Sequence, residues 1–126
     1  ELLLEQQPER LEIRNKIAMT YVSSANPMQG ITMLREILEE DPDNEMALNN
    51  LGILSIQSGQ YERAREYFEK LISINPGNVQ GQFYLGLSYF ELGEKQLARK
   101  QFELVKSLED DPAVIATAEG YLNELN

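Results

Sequence analysis

The chain has 126 residues, 42% of them hydrophobic, and carries 21 acidic against 11 basic side chains for a net charge of −10. That length builds one modest domain with its own core. The complete lack of Cys and His excludes zinc sites, thiol chemistry and any catalytic arrangement built on His or Cys within these residues. So acidic a chain, with no segregated basic patch, is a poor partner for nucleic acid or for direct binding to an anionic membrane.

Residues 1–10 hold Leu2-Leu3-Leu4, too short an apolar run for a span or a signal peptide, and have no counterpart later in the chain. The sequence opens without Met, which fits a piece of a longer protein with an upstream anchor. A disulfide-free chain suits cytosol and periplasm alike.

Helical periodicity starts near Glu9 and runs to Ser24. Asn26-Pro27 then offers a cap and a first-turn proline for a second helix, which reaches Glu40 and is closed by Asp41-Pro42-Asp43. Asn44 is placed to cap a third helix carrying Met46, Leu48, Leu51, Ile53, Leu54 and Ile56, which stops at Ser58-Gly59. A fourth carries Tyr61, Ala64, Tyr67, Phe68, Leu71 and Ile72 and ends at the breaker cluster Asn75-Pro76-Gly77. Asn78, the turn at Gly93, and Leu97, Ala98, Phe102, Val105 and Leu108 repeat this plan in a fifth and a sixth helix. After Asp111-Pro112, the residues Val114, Ile115, Ala118, Leu122 and Leu125 form an apolar stripe opposite Glu119, Asn123 and Glu124, the pattern of a terminal capping helix.

Leu51 and Leu85, Gly52 and Gly86, Gly59 and Gly93, and Ala64 and Ala98 each stand 34 residues apart. A fixed period of this size marks a solenoid of helical hairpins. Three registers follow: 11–44, which is degenerate, 45–78 and 79–112, with residues 113–126 as the cap of a single domain. The motifs Leu48-x2-Leu51-Gly52-x2-Ser55, Ala64-x3-Phe68 and Pro76, and again Gln82-x2-Leu85-Gly86-x2-Tyr89 and Ala98-x3-Phe102, resemble the tetratricopeptide repeat family. The first copy reads Arg14-x2-Ile17-Ala18-x2-Tyr21, Gly30-x3-Leu34 and Pro42. The family's Trp is absent, and Pro112 falls two places late, which leaves the angle of the last helix open. More loosely, the chain is similar to the soluble repeat part of membrane-anchored bacterial proteins. The resemblance implies an all-α, right-handed superhelix of three helix-turn-helix repeats plus a C-terminal capping helix. It also implies a noncatalytic scaffold for protein segments.

The resemblance further implies a concave groove lined by the first helix of each repeat. Carried over position by position, the family's ligand-facing places fall on Glu12, Asn15, Met19, Val22 and Ser23. One repeat later they fall on Met46, Asn49, Ile53, Ile56 and Gln57, and in the third on Gln80, Phe83, Leu87, Phe90 and Glu91. Helical spacing independently sets Phe83, Leu87 and Phe90 on one face. Three readings of that face stay open. It is core beneath the last helix, or it is an apolar peptide groove flanked by the amides Asn15, Asn49, Asn50 and Gln57, or it is filled by Leu2, Leu3 and Leu4 of this chain or a neighbour. The family's clamp for a C-terminal carboxylate is not matched: Asn15, Met19, Asn50, Gln80 and Tyr84 occupy its places, and only Asn50 agrees. Asp41 to Glu45 begins like a calcium loop, yet Met46 and Gly52 stand where Gly and Glu are needed, so a polar turn is the better reading. Glu39-Glu40 reads as a solvated helix end and not as an acid–base pair. The expectation is therefore no cofactor, no metal and no enzyme. Its partner is a protein or peptide segment bound at Asn15, Met19, Asn49, Asn50, Ile53, Ile56, Gln57, Phe83, Leu87 and Phe90. The alternative is self-association through the groove or the open N-terminal end.

Overall fold

The computed structural model describes the backbone of residues 2–126 and the side chains of residues 9–126. Leu2, Leu3 and Leu4, considered above as groove fillers, lie outside the described side chains. Among the described residues there are seven helices and no strand: α1 (Leu2–Val22), α2 (Pro27–Glu40), α3 (Glu45–Gln57), α4 (Tyr61–Ile74), α5 (Val79–Glu91), α6 (Lys95–Leu108) and α7 (Pro112–Leu125). The fold is all-α, as the periodicity indicates. Helix α1 begins at Leu2, earlier than the Glu9 suggested by the apolar pattern. The chain divides into two compact units, residues 1–51 and 52–126, with the boundary inside α3.

In the first unit α1 packs along α2, burying Leu11, Ala18, Leu34 and Ile37. The two helices approach so closely that a Cβ on Gly30 would stand 2.3 Å from the Ala18 carbonyl oxygen and 2.6 Å from Val22 Cγ2. Glu40 closes the hairpin's end by pairing with Arg10 (2.8 Å) and Arg14. Those two hydrogen bonds, Arg10 first, hold its carboxyl below the usual range. Asn26 occupies the N-cap place of α2, but its side chain makes no capping bond. Pro27 needs no donor there and starts the helix by its fixed φ.

The second unit shows the sequence repeat as a repeat of hydrogen bonds. Gln60 N–H donates to Ser55 O (2.8 Å) and Gly59 N–H to Ile56 O (3.0 Å), while 34 residues on Glu94 N–H donates to Tyr89 O (2.9 Å) and Gly93 N–H to Phe90 O (3.1 Å). This is a Schellman termination, which needs a left-handed residue, and Gly59 and Gly93 supply it with φ of 76° and 79°. Helix α5 packs on α4 and on α6 around Phe68, Leu71, Leu85, Ala98, Phe102 and Val105, all buried. Gly52 and Gly86 face the Phe68 and Phe102 rings, where a Cβ would come within 2.5 and 3.1 Å. Tyr89 is buried as well, its hydroxyl donating to Glu69 Oε2 at 2.7 Å. Burial, then that bond, pushes the phenol up to about 12.

Helix α7 packs along α6 with Ala118, Leu122 and Leu125 buried. Arg99 donates to Leu125 O (2.9 Å), and Lys106 pairs with Glu119 (3.7 Å). Asp111 caps the helix through Ala113 N–H (2.9 Å), with Pro112 at its start. The buried Ala118, Leu122 and Leu125 stand 36 residues after the buried Gln82, Gly86 and Tyr89 of α5. The displaced proline therefore shifts the packing register by two residues and keeps the same face inward.

The close approach in the first hairpin is directly testable. Gly30→Ala lowers stability by about 1–3 kcal/mol, the usual cost of overpacking. Gly120→Ala, whose new methyl group in α7 meets nothing within 4 Å, raises it by about 0.5–1 kcal/mol. Thermal melts followed by circular dichroism separate the two, and a Gly30 variant that melts no earlier than the parent contradicts the steric reading.

Candidate functional site

The ten residues expected to bind a segment divide between the two units. In the first, Asn15 is not an exposed amide: its side chain is 0% accessible and sits inside a polar chain. Its Nδ2 donates to Leu11 O and to Asn44 Oδ1, both at 3.1 Å, and its Oδ1 accepts from Asn50 Nδ2 at 3.3 Å. Asn44 Oδ1 in turn caps α3 by accepting from Ala47 N–H (2.9 Å), and Asn44 Nδ2 donates to Asp41 Oδ2 (3.3 Å). Asn15 thus ties α1 to the cap of α3. Its carbonyl lies beneath Asn50, which is half-buried and joins Met19, Met46 and Lys16 around a cleft of about 490 Å³. Asn49 is half-buried, with an Oδ1 that is buried and has no partner among the described residues.

In the second unit Ile53 and Ile56 of α3 are half-buried and Gln57 is exposed. Phe83, Leu87 and Phe90 of α5 are all half-buried. Phe83 meets Tyr84, Phe102 and Tyr121 edge-on, at ring-centre distances of 5.7, 5.8 and 6.1 Å. Phe90 meets Tyr121 at 5.0 Å. Tyr121 itself lies flat on Phe102, 5.0 Å away with the planes 4° apart. Burial raises the Tyr121 phenol, and Glu91 and Glu124 add to the rise. The face named from the sequence is therefore held on one side by α7 while keeping part of its surface accessible.

Of these three, Phe83 lines a cleft of about 410 Å³, and Leu87 and Phe90 are not among its lining residues. Val79, Phe83, Tyr84 and Val114 supply its apolar lining, and Gln80, Thr117 and Glu109 its polar lining. Tyr84 is fixed from behind by stacking on Phe68, 5.4 Å apart. Sequence reasoning found Phe83 and missed Tyr121, Val114, Thr117 and Glu109. Tyr121 was accessible to it, since it falls between Ala118 and Leu125 on the apolar face of α7. Among the described residues no cluster of His, Cys, Asp and Glu could hold a metal, and no helix is long and apolar enough to cross a membrane.

These features define an all-α protein of consecutive helical hairpins with open surface clefts, the one in the second unit walled by aromatic rings. Two tetratricopeptide repeat models match it, over residues 46–78 and 80–109, together half of the sequence. The chain belongs to the tetratricopeptide repeat family. Among solved structures it is similar to MamA from AMB-1, at 24% identity with a TM-score of 0.73, covering 91% of this chain and 67% of that one. PcrH from Pseudomonas aeruginosa is 16% identical with a TM-score of 0.80, covering 93% and 92%. The N-terminal domain of stress-induced protein-1 from C. elegans is 12% identical with a TM-score of 0.76, covering 90% and 95%. At such identities the likeness is one of fold. No curated protein matches the sequence. The family's members are in general noncatalytic modules that bind protein or peptide partners, and a protein-interaction scaffold is the general role this fold supports.

The buried amide chain predicts a structural penalty at Asn15. Asn15→Ala removes the link between α1 and the α3 cap and costs about 1–3 kcal/mol in chemical denaturation. An unchanged denaturation midpoint would place the chain's stability elsewhere.

Proposed function

We propose that this protein is a noncatalytic scaffold that receives a short protein segment in the cleft of the second unit, between α5 and the start of α7. In this reading residues 45–78 and 79–112 are the full repeats, 11–44 the degenerate first repeat and 113–126 the cap. The observation that carries the proposal is the aromatic corner of Phe83 and Tyr84, half-buried, immobilised from behind and still lining an open cleft. An anchor side chain entering there displaces water from a preformed apolar surface, so little ordering is required on the protein's side. Ordering the segment itself offsets part of the gain, which sets an affinity in the micromolar range, roughly −7 to −9 kcal/mol. Met19 and Asn50 mark the cleft of the first unit as a second contact surface.

Thr117 is the residue to change, because it is exposed and its hydroxyl bonds only to Ala113 O of its own helix. Thr117→Trp fills the cleft without touching the core. Peptides selected on the parent from a random library lose affinity by about tenfold or more, equivalent to about 1.4 kcal/mol, while helicity is unchanged. Full-strength binding by the folded variant refutes this location.

Self-association is a second reading, favoured by one observation. Ile13 and Ile17 on α1 are 52% and 44% exposed, whereas Ala47 and Leu51, 34 residues on, are buried. Exposed aliphatics at a position that is otherwise interior suit an intermolecular contact. On this reading the parent forms a larger species as concentration rises in sedimentation, and Ile13→Glu/Ile17→Glu stays monomeric. A parent that remains monomeric throughout removes it.

A further inference from the structure

The cleft between α5 and α7 brings two chemistries together. One is the aromatic corner of Phe83 and Tyr84, whose rings stand 5.7 Å apart at 75°. The other is the acidic residue Glu109, which lines the same cleft. The carboxylate is held in place: Oε1 accepts from the N–H groups of Asp110 (2.8 Å) and Asp111 (3.1 Å). Oε2 makes no hydrogen bond among the described residues. No Lys or Arg lines this cleft, whereas Lys16 lines the cleft of the first unit. The chain's overall charge of −10 adds a field of the same sign.

Resting on the reading that this cleft takes a protein segment, we infer that the segment's anchor is an arginine, flanked by aliphatic residues. A guanidinium is planar and weakly hydrated, stacks on aromatic faces and bonds carboxylates in a fork. The corner of Phe83 and Tyr84 offers it faces, Glu109 offers it charge, and Val79 and Val114 accommodate the neighbouring aliphatics. An acidic or purely apolar anchor would leave the Glu109 carboxylate partly desolvated beside it and unpaired, which opposes binding. Electrostatic complementarity at the cleft thus selects among segments that would all bury similar apolar area.

The test uses one short acetylated, amidated host peptide with a central position flanked by leucines, filled by arginine, norleucine or glutamate. Binding to the whole chain is read by fluorescence anisotropy at low and high salt. The arginine peptide is expected to bind about tenfold tighter than the norleucine peptide and the glutamate peptide weakest, with the preference shrinking as salt rises. Glu109→Gln keeps an oxygen for the two backbone N–H groups and removes the charge, so its arginine preference should fall to within about twofold of norleucine. If arginine and norleucine bind the parent equally and Thr117→Trp blocks both, the anchor assignment is wrong while the cleft stands. If Thr117→Trp changes neither, or no peptide binds at all, the cleft reading fails and takes the anchor with it. A preference for arginine that survives Glu109→Gln also overturns the inference.

Discussion

Everything in this fold depends on how near two helices can come within a hairpin, and that distance is set by side chains that are missing. In the second and third registers the absent Cβ is on the first helix, at Gly52 and Gly86, and Ala64 and Ala98 face it from the second helix. The space so freed is taken by the rings of Phe68 and Phe102. In the first register the roles are exchanged: Ala18 stands on the first helix and Gly30 on the second. Leu34 stands in this register where the next two have phenylalanine. The helix backbones close on each other instead, until the Ala18 carbonyl leaves no room for a methyl group on Gly30. A register that looks degenerate by letters is thus a second solution to the same packing problem.

The same phenylalanines carry the fold through to the candidate site. Phe68 fills its own hairpin and stacks on Tyr84 of the next. Phe102 stacks on Tyr121 of α7 and meets Phe83 of its own hairpin edge-on. A core ring therefore supports Tyr84, Phe83 and Tyr121, which are only partly buried. Aromatic pairs of this kind add roughly 0.5–1.5 kcal/mol each beyond the area they bury. The two-residue displacement of α7 matters here. It keeps Ala118, Leu122 and Leu125 inward while setting Tyr121 over Phe83 and Phe90, with Val114 and Thr117 left at the mouth.

The architecture was legible in the letters because it rests on local rules repeated at a fixed distance. The 34-residue period, the Asn44 and Asn78 caps and the glycine turns at Gly59 and Gly93 each follow from the chemistry of one or two residues. Readings that depend on neighbours from other helices fared differently. Asn15 stands at a position that faces ligand in related repeats, but here Asn44 and Asn50 hold it from both sides and draw it inside. Asn26 has the right type for a cap, yet its side chain makes no capping bond and its backbone oxygen accepts from Gln29 N–H instead (3.2 Å). The Phe83 face was found by spacing, yet spacing could not say that Tyr121 would cover one side of it. Nor could it bring Glu109, from the turn before α7, to the same cleft. Those placements are set by tertiary packing, which a helical wheel does not contain.

The two clefts differ in the side chains that line them, although both are built on the same helical plan. In the first unit the interior amide chain ends at Asn50, and the cleft it reaches is lined by flexible Met19, Met46 and Lys16. Such side chains lose rotamer freedom when a ligand orders them, so contacts there are adaptable and individually weak. In the second unit the lining rings are already ordered by Phe68 and Phe102, and the Glu109 carboxylate is already tied to two backbone N–H groups. On the proposed reading, most of the entropic cost on the protein's side is met during folding, and selectivity between segments is concentrated where the aromatic corner and Glu109 meet. On the same reading the acidity of the chain has a local meaning beyond solubility, because Glu109 discriminates between segments at the aromatic corner.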